Sequence, residues 1–159
     1  MLWLWCFGSI LQSLAGNRHT IPIYLYGAVA GGIGFMATIA LLKTPGIYSL
    51  FALYWANAAV LAVAVAATVL APGFRIFRQL GGGIPIWILT LVYLLVDMAG
   101  MGTASMPFYA AHLSGALIGG LYTFSYSRGY NWGSWMNRSY EWFMGLFNPY
   151  KKTNKNSVK

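Results

Sequence analysis

The sequence predicts an all-α membrane protein: about four full transmembrane helices, a partial one at the N-terminus and an interfacial amphipathic helix near the C-terminus. Three observations carry this. Of the 159 residues, 58% are hydrophobic and 8% charged, with Asp97 and Glu141 the only acids, so the chain cannot present an ordinary charged shell to water. Four stretches, 21–42, 47–71, 84–99 and 107–127, approach or reach the roughly 20 apolar residues needed to cross a hydrocarbon core. Turn chemistry separates them, at Gly16-Asn17-Arg18, Thr44-Pro45-Gly46, Pro72-Gly73, Gly81-Gly82-Gly83 and 100–106.

The first apolar stretch, 1–15, would rise only about 22 Å as a helix, which is short for a span. It lacks the basic flank and small-residue cleavage site of a signal peptide, since Arg18 follows the apolar run. It reads as a helix that has lost its beginning. The next spans carry seams of small residues: Gly27, Gly31 and Gly34 in 21–42, Ala52, Ala56, Ala59 and Ala66 in 47–71, and Ala111, Gly115 and Gly119 in 107–127. In lipid, helices associate through such close backbone approach, so a compact bundle is expected over 1–128. After it, 131–147 gathers Trp132, Trp135, Met136, Phe143, Leu146 and Phe147 largely on one helical side, as an interfacial helix does. The tail 148–159 is polar and basic, with the composition of a disordered segment drawn to anionic lipid.

Threading the spans in order puts Arg18, Arg75, Arg78, Arg128, Arg138, Lys151, Lys152, Lys155 and Lys159 on one side and Lys43 alone on the other. Basic residues accumulate on the cytoplasmic side, which places the C-terminus inside and Met1 outside. The expected location is a prokaryotic cytoplasmic membrane, crossed several times. The net charge of +8 lies in short loops and a tail rather than along one soluble face, which argues against nucleic acid. Cys6 has no second cysteine to pair with, and no His, Cys, Asp or Glu cluster has metal-ligand spacing, so neither a metal nor another cofactor is expected. Few polar groups in the spans and no inverted repeat leave a transporter without support.

One segment carries chemistry. Ala110-Ala111-His112-Leu113-Ser114-Gly115-Ala116-Leu117-Ile118-Gly119-Gly120 sets an ionisable residue in a span on a glycine-lined helix. It resembles the last transmembrane helix of rhomboid intramembrane proteases, whose pattern is Ala-His-x-x-Gly-x-x-x-Gly. The resemblance implies a rhomboid-like bundle that lacks the family's first span, with His112 as the general base of a Ser-His dyad and Gly115 and Gly119 bringing its helix against the nucleophile's. The family's serine stands in Gly-x-Ser-Gly or Gly-x-Ser-Ala; here the stretch reads Tyr54-Trp55-Ala56-Asn57-Ala58-Ala59-Val60, with Asn57 at the serine position and Trp55 at the preceding glycine. The interval from Asn57 to His112 holds an inward loop, a span and an outward loop, as in the family. Residues 1–8 resemble the second half of the family's second span; the His-x-x-x-Asn oxyanion donors that precede it in typical members would lie upstream of Met1.

A carboxamide has no hydroxyl to deprotonate, so His112 would have nothing to activate. Ser49 lies about 12 Å from Asn57 along a helix, and Ser114 shares the histidine's own helix and faces elsewhere. Trp55 would crowd the cleft a substrate strand enters. The expectation is a catalytically inactive pseudoprotease whose partners are the lipid bilayer and the transmembrane helices of client proteins; the alternative is an intramembrane serine endopeptidase using a nucleophile its sequence does not reveal. His112 is expected neutral and hydrogen-bonded, with Asn57 as a partner, and Asp97, near the end of its span, is expected to be solvated or to cap the helix.

Overall fold

The computed structural model describes residues 2–43, 51–76, 81–101 and 106–147, and at 17, 51–56, 100, 101, 143, 144, 146 and 147 it describes the backbone alone. Ser49 and the tail 148–159 lie outside the described residues, as does the side chain of Trp55. Six helices run through the rest: α1 Leu2–Ala15, α2 Asn17–Leu42, α3 Phe51–Leu70, α4 Ile86–Met101, α5 Met106–Ser127 and α6 Ser134–Phe147. Among the described residues α2, over Arg18–Leu42, is long and apolar enough to cross a membrane, while Leu2–Ala15, Asn57–Leu70 and Ile86–Ala99 are shorter apolar helices. Although α5 has 22 residues, its tyrosines, serines and His112 dilute its hydropathy.

The chain reverses between α1 and α2 at Gly16, whose φ of 80° is a conformation that suits glycine. Between α3 and α4 there is a short element the apolar pattern did not anticipate. Strands β1 (Arg75–Ile76) and β2 (Ile84–Pro85) pair antiparallel. Arg75 Nη1 donates to the Gly82 carbonyl at 3.0 Å, and Gly81, Gly82 and Gly83 all take positive φ to make that return. The hairpin delivers Ile86, fully buried, into the core at the start of α4.

Three helices, α2, α3 and α5, form the centre of the bundle, and small residues set their spacing. A Cβ at Gly27 would collide with that of Ala62, and one at Gly31 would stand 2.6 Å from the Cβ of Ala58 and 3.3 Å from the Ala111 carbonyl oxygen. One at Gly34 would strike the Ser114 hydroxyl. On α5, a Cβ at Gly115 would lie 2.5 Å from the Ala58 carbonyl oxygen, and one at Gly119 would overlap that of Ala62. Gly27, Gly31, Gly115 and Gly119 thus close on Ala58 and Ala62 of α3, with Ala59 of the alanine seam also against Gly27, while Gly34 meets α5. Backbones this close exchange dispersion and weak polar contacts that larger side chains would forbid.

Around this centre lie two apolar clusters. Towards the end where α3 and α5 begin, the rings of Phe35 and Phe108 meet at a tilt, 5.2 Å between centroids, beside Ala111. The larger cluster joins Phe7 and Leu11 of α1, Ile23 of α2, Leu61 and Val63 of α3, and Tyr93 of α4. Trp3 and Phe7 meet the Tyr93 ring at 5.1 and 5.8 Å, tying α1 to α4.

At the opposite end α6 folds back onto the start of α2. Asn131 Oδ1 accepts from the Gly133 N–H at 3.1 Å, an Asx turn that opens α6. Gly133 sits so close to Pro22 and the Tyr122 hydroxyl that its Cβ would have no room. Trp135 Nε1 donates to Tyr26 Oη at 2.7 Å, Tyr26 Oη donates to the Trp132 carbonyl at 3.2 Å, and Arg18 pairs with Glu141 at 3.4 Å. These contacts extend over about 12 Å of α2. Trp135→Phe removes a short hydrogen bond while keeping an aromatic ring. It is expected to loosen α6 by about 1 kcal/mol, read as faster proteolysis between residues 128 and 134. Glu141→Gln, at an exposed pair, is expected to change that rate by less than twofold.

Candidate functional site

Three helices bring polar side chains to one place near the end where α3 and α5 begin. Asn57 comes from the second turn of α3, His112 lies about 9 Å along α5 from Met106, and Asp97 comes from the last third of α4. The His112 side chain is wholly buried and that of Asp97 is 8% exposed. His112 Nε2 stands 3.3 Å from Asp97 Oδ2, an ion-pair contact rather than an aligned hydrogen bond. Asn57 Nδ2 donates to the other carboxylate oxygen, Asp97 Oδ1, also at 3.3 Å. Tyr93, one turn before Asp97, points its hydroxyl at the Asn57 carbonyl at 3.5 Å.

Asp97 therefore stands between the two residues expected to meet. Asn57 and His112 both turn to the carboxylate, because an anionic or strongly polar oxygen is a better partner for an N–H than an amide is. This corrects two expectations: His112 does not take Asn57 as its direct partner, and Asp97 is neither solvated nor a cap. The reason lies in α4, which continues to Met101. Asp97 is thus a full turn inside the helix, where an ionisable group needs a partner. A signal was present in the sequence: of two acids in the chain one falls inside an apolar stretch, with Tyr93 one turn away on the same face.

Gly115 and Gly119 make the approach possible. They hold α5 against Ala58 and Ala62, which lie one and five residues after Asn57 on α3. Ser114, next to Gly115, is committed elsewhere: its hydroxyl donates at 2.9 Å to the Ala30 carbonyl of α2 and to that of Ala111. Trp55 stands on α3 half a turn before Asn57, its side chain outside the described residues.

Chemically, a carboxylate against an imidazole orients the ring and can share a proton with it. The amide of Asn57 supplies an N–H to that carboxylate and contributes no hydroxyl. Together Asp97 and His112 can be net neutral with one proton between them, the arrangement that costs least in a low-dielectric interior.

A family model described as the rhomboid domain matches residues 1–129. No curated protein and no solved structure matches the chain.

Proposed function

The chain belongs to the rhomboid family, and from that premise we propose that it is a rhomboid-like membrane protein without proteolytic activity, which works by binding transmembrane helices. The observation that carries the proposal is the engagement of Asn57. Its side chain stands at the family's serine position and is spent on Asp97, while the same carboxylate faces His112 Nε2. A dyad needs a hydroxyl there, and a carboxamide is no nucleophile. In this reading the α3–α5 contact survives as scaffold and the polar triplet holds three helices in register. On this reading the protein crosses a prokaryotic cytoplasmic membrane several times, and the basic residues gathered beyond 127 favour a C-terminus in the cytoplasm.

The test is the full chain in vesicles with a rhomboid substrate. No product is expected; cleavage abolished by His112→Ala would refute the proposal. Asn57→Ser alone is also expected to give no product, since Asp97 still occupies the imidazole's Nε2 face. Turnover by that single variant would show that the hydroxyl is all the site lacks.

A second reading has the His112–Asp97 pair in its favour, because a carboxylate-oriented imidazole is what a general base requires. On that reading the protein is an endopeptidase with a nucleophile its sequence does not reveal. Fluorophosphonate labelling that depends on His112 would favour it over the first.

A further inference from the structure

Two clefts meet at the end of the molecule remote from His112, between α1, α2 and α6. The first, about 360 Å³, lies in the groove between α1 and α2 and is walled by Leu4, Trp5, Gly8, Thr20, Tyr24 and Leu25. The second, about 430 Å³, lies under α6 and is lined by Arg18, Met136, Asn137 and Tyr140. Gln12, Ile21 and Leu25 line both, so the two adjoin as an open channel, mostly apolar throughout, with Arg18, Asn137 and Tyr140 at its α6 end.

Its polar groups are ordered along its length. Arg18, which lines the second cleft, pairs at 3.4 Å with Glu141 beside it while their side chains remain 75% and 54% exposed, so a positive and a negative group are offered side by side. The amino end of α2 lies there too, with no side chain capping it, and its free N–H groups add positive potential. Two residues deeper than Arg18, Thr20 Oγ1 is buried with no hydrogen-bond partner among the described residues. Buried hydroxyls are rarely left so, and Thr20 is among the residues that line the cleft. Beyond it come Ile21, Tyr24 and Leu25, facing Leu4 and Trp5.

We propose that this channel is a binding site for a phospholipid with a primary ammonium headgroup, a phosphatidylethanolamine. The phosphate meets Arg18 and the amino end of α2, and the ammonium meets Glu141. The Thr20 hydroxyl donates to an ester carbonyl, and an acyl chain fills the groove between α1 and α2. Charge complementarity selects the headgroup: an anionic lipid without an amine would bring its phosphate to Arg18 but leave Glu141 opposed by like charge. A choline headgroup has the positive charge but no N–H to donate. The site lies at the other end of the bundle from Asn57, Asp97 and His112 and does not depend on the function proposed above.

The experiment uses the full chain in phosphatidylcholine vesicles containing a phosphatidylethanolamine with a diazirine on its acyl chain, and maps the photoadducts. Adducts are expected to concentrate on α1 and α2 between residues 4 and 25. Gly8→Leu, where an added Cβ meets nothing within 4 Å, fills the groove without straining the bundle and is expected to cut those adducts about tenfold. Thr20→Val, close in shape, is expected to reduce them about threefold, and Glu141→Gln to abolish the advantage of phosphatidylethanolamine over phosphatidylcholine and phosphatidylglycerol as competitors. Adducts spread over all the lipid-facing helices, or unchanged in Gly8→Leu, would overturn the site. Equal competition by the three headgroups against the unaltered protein would overturn the lipid assignment.

Discussion

Gly119→Ala is expected to cost the folded bundle about 3 kcal/mol, the largest loss from adding a single methyl anywhere in the described chain. The new Cβ would overlap the Ala62 carbonyl oxygen and stand 2.7 Å from the carbonyl carbon and Cα of the same residue. Those are backbone atoms of a packed helix, which cannot rotate aside as a flexible side chain can. The helices must part, and every contact between α3 and α5 weakens with them, including the approach of His112 and Asn57 to Asp97. Gly115→Ala is expected to behave similarly and somewhat more mildly, its nearest obstacle being the Ala58 carbonyl oxygen at 2.5 Å. Against these, Gly145→Ala meets nothing within 4 Å and gains the helix propensity of alanine, so it is expected to be neutral or slightly stabilising. Unfolding by a denaturing detergent, followed on the reconstituted full chain, separates the three. Equal stability of Gly119→Ala and Gly145→Ala would mean that α5 does not lie on α3 at this distance.

The same glycines show how far the sequence could be read. Apolar length and turn chemistry locate the helices, because in lipid a span must satisfy its own backbone and so must be long, apolar and uninterrupted. The reading of 107–127 corresponds to α5 at Met106–Ser127, and that of 21–42 falls within α2. The spacing of Gly115 and Gly119 announced a close neighbour without saying which residues it offered. That these are Ala58 and Ala62 depends on the rotation of α3 about its axis, and an all-apolar helix carries almost no period from which to read rotation. The hairpin at Arg75–Ile76 and Ile84–Pro85 shows in the sequence only as turns, since two-residue strands leave no alternation. For Asp97 the difficulty was of another kind. Its partners lie on two other helices, and its apparent place at the end of an apolar run suggested water, whereas α4 carries on for another turn. An acid among apolar residues implies a donor nearby, and His112 is the intramembrane ionisable group able to supply it.

Asp97→Ala is expected to destabilise the bundle by about 2 to 4 kcal/mol, more than removal of any exposed ion pair, because it leaves the buried His112 imidazole and the half-buried Asn57 amide without their acceptor. The imidazole of His112 has no exposed surface, so water cannot take the place of the carboxylate. The Asn57 amide loses the bond to Oδ1 at the same time. Two considerations bound the loss. Both orphaned groups can be neutral, which keeps it below the cost of a stranded charge, and polar contacts between helices in lipid have measured near 0.6 kcal/mol on average because the unfolded chain finds other partners. Burial on three sides argues for the upper part of that range. Asp97→Asn preserves the shape and an acceptor oxygen, so it is expected to cost about 1 kcal/mol. The decisive comparison is a double-mutant cycle. If Asp97 and His112 hold each other, His112→Leu in the Asp97→Leu background should cost much less than in the unaltered protein, with a coupling of about 1 to 2 kcal/mol. Additive losses would mean that the two residues meet without depending on each other, and the polar triplet would then have no part in fixing α4 against α3 and α5.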